Sequence, residues 1–168
     1  MDDYNEYIDV DLQSDEVGSV YLPGEVIVSD FWIPTSNPWC LTIPVKKGNY
    51  RCVVTHYVDH DLGDRTVVHH LTIIHEDFDS IEEATDIKDG VITVVCNLAG
   101  FFVKKPSFAN DDEGGVYIDT LDKAGLEENR YVLTENEFLS YTGLGDDMYT
   151  VTTYEEDGEI FAIDICYS

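Results

Sequence analysis

The chain has 168 residues, 43% hydrophobic and 12% aromatic, enough apolar material for one buried core of ordinary domain size. That composition excludes wholesale disorder. Nine Lys and Arg stand against 35 Asp and Glu, a formal net charge of −26. With so few cations to meet phosphates, direct binding to nucleic acid or to an anionic membrane surface is not expected.

Residues 1–16 hold Asp2, Asp3, Glu6, Asp9, Asp11, Asp15 and Glu16 and no base. They read as an acidic N-terminal segment ahead of a single β-rich domain over 17–168. The opening residues lack the basic and apolar regions of a signal peptide. No apolar run approaches the ~18 residues of a membrane-spanning helix. The expected compartment is the cytoplasm. Cys40, Cys52, Cys96 and Cys166 form no C-x-x-C motif and sit among apolar neighbours, so they are expected to be small buried thiols.

Downstream, the dominant period is two. Candidate strands are 24–29, 40–45, 50–60, 65–75, 91–96, 148–154 and 160–166, rich in Val, Ile, Thr and Tyr and bounded by Gly, Pro, Asn and Asp. Residues 31–39, with Pro34 and Pro38, read as an ordered loop. A short helix is predicted over 79–87, with Ser80 as N-cap and Glu82 and Glu83 in its first turn. A second is predicted over 134–141, with Thr134 as cap and Glu137 at the capping-box position. Many short strands and one or two short helices predict a mainly β fold, an antiparallel β-sandwich or open barrel.

Two hairpins have testable registers. Between 148–154 and 160–166, a two-residue Asp157-Gly158 turn would oppose Val151 and Asp164. A three-residue loop with Gly158 left-handed would instead gather Tyr149, Val151 and Thr153 with Phe161, Ile163 and Ile165, and is preferred. Between 50–60 and 65–75, pairing His60 with Arg65 gathers Cys52, Val54, Val58, Val67, Leu71 and Ile73 on one face. It also places His56 opposite His69. The alternative, with Gly63 in a bulge, pairs His60 with Asp64. The expected core is Cys52, Val54, Leu71, Ile73, Val94, Val151, Phe161, Ile163 and Ile165.

All five histidines fall in 56–75: His56, His60, His69, His70 and His75. Imidazoles on adjacent strands can hold a divalent metal, and His56, His69 and His70 are the candidate ligands. A packed core histidine is the commoner outcome for such residues. The sequence has no G-x-S-x-G elbow and no paired Cys-His signature of a nucleophile. Asn110-Asp111-Asp112-Glu113-Gly114-Gly115 lacks the alternation of a calcium loop and reads as a solvated turn. Gly143-Leu144-Gly145 precedes a strand rather than a helix and is no phosphate cradle.

Four segments taken together carry a family resemblance: Leu22-Pro23-Gly24-Glu25-Val26-Ile27-Val28-Ser29-Asp30, Ile43-Pro44-Val45-Lys46-Lys47-Gly48-Asn49-Tyr50, Ala99-Gly100-Phe101-Phe102 and Gly143-Leu144-Gly145-Asp146-Asp147-Met148-Tyr149-Thr150-Val151. In order and spacing they resemble the uncharacterised bacterial domain of unknown function family 4241. Phe31, Arg51, Asn97, Val103 and Asp147 stand where that pattern has Pro, Pro, two acids and Gly. The resemblance implies a β-rich fold and brings no activity with it.

The leading functional expectation is a non-enzymatic acidic binding protein, an inhibitor or immunity-type module without a cofactor. It would occupy a basic surface of a protein partner, for instance a nucleic-acid-binding enzyme whose groove it fills in place of a duplex. The densest acids are those of the N-terminal segment and of 76–89. Asp77, Asp79, Glu82, Glu83, Asp9 and Asp11 are therefore the candidate contact residues, expected on one negative face. The alternative is a cupin-like metal-dependent enzyme or small-molecule binder using the histidine hairpin. A structural subunit is a third.

Overall fold

The alternating segments assemble into a six-stranded antiparallel sheet. Its order is β1 (Gln13–Leu22), β4 (Gly48–Asp59), β5 (Arg65–His75), β11 (Glu159–Cys166), β10 (Asp147–Glu156) and β6 (Asp86–Val94). A second, five-stranded antiparallel sheet runs β3 (Leu41–Pro44), β2 (Glu25–Asp30), β7 (Leu98–Phe102), β9 (Glu137–Tyr141) and β8 (Tyr131–Leu133). The structure is a computed structural model that describes residues 11–142 and 146–167, with Leu62 as backbone only. Neither sheet closes on itself, so the fold is a β-sandwich and not a barrel. No helix among the described residues is long and apolar enough to cross a membrane.

The inner faces of the two sheets meet in one core. Tyr50, Cys52, Leu71, Ile73, Val151, Ile163 and Ile165 come from the six-stranded sheet, and Val26, Val28, Ala99, Phe101 and Phe138 from the other. All nine residues expected in the core are buried. Ile163→Ala removes a fully buried side chain and should cost about 2–5 kcal/mol in denaturant unfolding. A loss below ~1 kcal/mol would show that the site refills or that Ile163 does not pack there.

The second sheet is covered on its other face too. Leu98, Phe102, Val132 and Leu139 pack against Leu121 of helix α1 (Asp111–Lys123) and Leu126 of helix α2 (Leu126–Asn129). The layers are therefore an open sheet, a middle sheet and a helical layer. Strands β7 and β9, buried on both faces, lose the period-two signature. This corrects the helix expected over 134–141. The Thr134 hydroxyl does accept the N–H groups of Asn136 and Glu137, at 3.1 and 3.3 Å, but these bonds close a turn between β8 and β9.

The helix expected over 79–87 is a single 3-10 turn, Ile81–Glu83. Its cap is as read: Ser80 Oγ accepts the Glu82 N–H at 3.1 Å, and Glu83 Oε2 accepts the N–H groups of Asp79 and Ser80 at 2.7 and 3.2 Å. Strand β6 then begins at Asp86. The stretch read as a solvated turn, 110–115, instead opens α1. Asn110 Oδ1 accepts the Glu113 N–H at 3.0 Å, and Glu113 Oε2 accepts the Ala109 N–H at 2.9 Å, while three acids sit in the dipole-favoured first turn. Two glycines obscured that signal, since each costs a helix about 1 kcal/mol. Gly114 is required by packing: a Cβ there would lie 2.1 Å from the Trp32 ring.

Bulges set both hairpin registers. In β10–β11, Asp157 and Gly158 form a two-residue turn with φ of 52° and 79°. Glu155 pairs with Ile160, but beyond the bulge Tyr154 pairs with Ala162 and Val151 with Ile165. The apolar faces expected for Tyr149, Val151, Ile163 and Ile165 form, although through a bulge and not a three-residue loop. Phe161, the extra residue, is buried and stacks on Phe78 at 3.9 Å between ring centres. In β4–β5 both anticipated registers occur, one on each side of a bulge. Val54 pairs with Leu71 and Thr55 with His70, whereas His56 pairs with Val68 and Asp59 with Arg65. His69 is the extra residue, so the expected His56–His69 pair does not form. Strand β1 begins at Gln13, inside the stretch set apart as the acidic segment.

Candidate functional site

Connection 76–85 leaves β5 and crosses one end of the open sheet to reach β6. It is tied down at successive points. The Glu76 N–H donates to Asn49 O at 2.9 Å, Arg51 Nη2 donates to Asp79 O at 3.2 Å, and the Thr85 N–H donates to Glu155 O at 2.8 Å. The last contact brings the connection beside the β10–β11 hairpin tip. Glu76, Asp77, Asp79, Glu82, Glu83 and Asp86 thereby join Glu155, Glu156, Asp157 and Glu159 at one sheet end. One cation, Lys88, interleaves with them. Lys88 Nζ lies 3.6 Å from Asp86 and 3.5 Å from Glu155.

Of the expected contact residues, Asp77, Asp79, Glu82 and Glu83 are exposed and close together in this connection. Glu83 is also a scaffold residue, because its carboxylate caps the 3-10 turn. Asp11 is exposed but precedes β1 at the opposite end of the sheet, where Gln13 pairs with His56. Asp9 lies outside the described residues. Glu16 is linked to 76–85 through Arg51, which lies 4.0 Å from Glu16 and also bonds Asp79.

The histidines separate. His56 Nε2 is 2.8 Å from Asp15 on the edge strand β1, and His60 Nδ1 is 2.5 Å from Asp64 in the exposed hairpin turn. Buried His75 donates from Nε2 to Lys47 O at 2.9 Å and accepts the Asp77 N–H on Nδ1 at 3.1 Å. His69 and His70 remain together, their ring centres 4.4 Å apart. Of the three proposed metal ligands, His56 is thus elsewhere, and Cys166 stands in its place.

Cross-strand pairing explains that substitution. Cys166 pairs with His70, and Asp164 with Thr72. These four alternate with the core residues Leu71, Ile73, Ile163 and Ile165, so they project from the outer face of the open sheet. Asp164 Oδ2 is 2.9 Å from His70 Nδ1, Asp164 Oδ1 accepts the Thr72 hydroxyl at 2.7 Å, and His70 Nε2 lies 3.8 Å from Cys166 Sγ. The Asp164 hydrogen bond, then that of Cys166, holds the His70 pKa up, at about 10. Burial and the neighbouring His70 charge push His69 the other way.

A raised histidine stabilises the fold in its protonated form. The His70 contribution is complete below its ordinary value of 6.5 and is lost as pH rises through about 10. Asp164→Asn removes the main cause. The melting-temperature gap between the native chain and that variant should be widest near pH 6 and close toward pH 10. A gap that stays constant across this window would refute the pairing.

A cleft of about 350 Å³ lies between loops 31–35 and 105–111, lined with Phe31, Trp32 and Phe108. Lys105 at its wall donates to Phe31 O at 2.6 Å and sits 4.8 Å above the Phe102 ring centre; burial pushes its pKa down. Sequence reasoning missed Lys105, which is one of several unremarkable lysines along the chain. Comparison of the chain with family models, with curated proteins and with solved structures finds no match.

Proposed function

We propose that the protein is a non-enzymatic acidic binding module, of inhibitor or immunity type, that occupies a basic surface of a protein partner. The observation that carries this reading is the convergence of connection 76–85 and hairpin tip 155–159 at one end of the open sheet. The two stretches are tied to each other by backbone hydrogen bonds, so their carboxylates form a fixed array instead of a solvated tail. Such an array raises the association rate with a cationic surface and makes that rate fall with salt. A groove that binds a nucleic-acid backbone is one surface of this kind.

The test is affinity capture from the native host, followed by binding kinetics with the fourfold variant Asp77→Asn, Asp79→Asn, Glu82→Gln and Glu156→Gln. Glu83 is left in place because it caps the turn. The variant should keep its fold, since exposed carboxylates contribute little individually. Its on-rate should fall at low salt, and its salt dependence should flatten. An unchanged on-rate at low salt would take this sheet end out of the interface.

A further inference from the structure

A second site lies on the outer face of the open sheet, five residues along β5 from His75, where the acidic connection begins. In a regular strand His69 and His70 would point to opposite faces. The bulge at His69 brings their rings together, and the pairing of β11 with β5 delivers Cys166 to the same place. One donor atom from each of His69, His70 and Cys166 lies within 4.8 Å of the others.

Two further observations fit a metal ion. The first is the orientation of His70. Its Nδ1 is engaged by Asp164, whose other oxygen is held by Thr72, so Nε2 is the nitrogen left to face the sulfur. A carboxylate behind a ligating imidazole is the usual way a protein fixes a metal-binding histidine. The second is His69 Nδ1, which is buried without a hydrogen-bond partner. Zinc bonds of about 2.0–2.1 Å to nitrogen and 2.3 Å to sulfur put tetrahedral donors roughly 3.3–3.6 Å apart. The observed 3.8 Å between His70 Nε2 and Cys166 Sγ is within a few tenths of that separation.

We propose that His69, His70 and Cys166 bind one Zn²⁺ ion, with Asp164 as the orienting carboxylate and one coordination position left for water or an outside ligand. Two imidazoles and a thiolate are a borderline-soft donor set, which selects zinc over the magnesium or calcium that surface carboxylates attract. Ligation requires Cys166 as the thiolate and His70 Nε2 as a bare lone pair, so any proton held on either is released to solvent on binding. The other titratable groups facing these ligands are Asp164 on β11, Tyr57 on β4 beside His69, and Tyr154 on β10 near Asp164. The competing thiols Cys52 and Cys96 are disfavoured as thiolates, because burial pushes each to about 12.

The full-length chain, reduced with a phosphine, is titrated with Co²⁺ as the spectroscopic probe. One equivalent should produce a thiolate-to-cobalt charge-transfer band, and one equivalent of Zn²⁺ should remove it. Cys166→Ser should abolish the band. His69→Ala and His70→Ala should each weaken binding by about tenfold or more, and Asp164→Asn by about 10–100-fold. Absence of the band at one equivalent, or a band unchanged in Cys166→Ser, would overturn the site and assign any uptake to surface carboxylates or another thiol. Should Cys166→Ser fail to fold, alkylation of the native chain decides. One equivalent of Zn²⁺ must protect Cys166 from iodoacetamide, and unprotected labelling would overturn the proposal.

Discussion

Asp30→Ala should destabilise the protein by about 3 kcal/mol or more, because three backbone N–H groups lose one shared acceptor at ~1–3 kcal/mol each. Asp30 ends β2 and is fully buried. Its Oδ1 accepts the Trp32 N–H at 2.6 Å, and its Oδ2 accepts those of Val95 and Cys96 at 2.6 and 3.0 Å. The Cys96 thiol donates to Oδ1 at 3.2 Å. Residues 95–97 are the step by which the chain passes from the open sheet into the middle sheet, so one carboxylate fixes that crossing and the start of loop 31–39. Asp30→Asn keeps one accepting oxygen and should fall between the native chain and the alanine variant. Equilibrium unfolding in denaturant is the measurement, and a loss within about 1 kcal/mol would show that water or another group replaces the carboxylate.

Gly100→Ala should be at least as damaging. A Cβ at this position would sit 2.2 Å from Phe138 O and 2.8 Å from Leu139 Cα. Both are backbone atoms of β9, the hydrogen-bonded neighbour of β7. Relief requires the two strands to part, yet core residues press on one face and the helical layer on the other. The cost should exceed the ~1–3 kcal/mol of an ordinary overpacked core and show as a large drop in melting temperature or in folded yield. Gly115→Ala provides the contrast. Nothing lies within 4 Å of a Cβ there, and an alanine inside α1 should stabilise by up to about 1 kcal/mol. A Gly100→Ala chain that melts within a few degrees of the native one would mean that β7 and β9 separate easily.

What the sequence made legible follows from which surfaces see water. Strands of the open sheet have one wet face, so 65–75 could be read with its observed ends and every expected core residue is buried. The central strands β7 and β9 of the middle sheet have no wet face. Leu98–Phe102 and Glu137–Tyr141 present runs whose period says nothing, so the first carries no strand signal and the second reads as a helix. The zinc-type cluster was half legible. His69 and His70 stood out as neighbours, but the bulge that turns both to one side has no sequence signature of its own. In sequence, Cys166 reads as a small buried thiol. The positions Asp164 and Cys166, two apart and alternating with the buried Ile163 and Ile165, are the available clue. Asp30 was one acid among 35, distinguished only by ending an apolar strand.

The middle sheet also dictates how the molecule comes apart. Removing the helical layer would bare Leu98, Phe102 and Leu139, and removing the open sheet would bare Phe101 and Phe138. Neither outer layer can detach while leaving a stable remainder, so unfolding should be a single cooperative transition with coincident probes. Amide protons of β7 and β9 should exchange only through that global event, whereas those of connection 76–85 should exchange through local openings. Local opening at the acidic end thus leaves the strands behind it locked.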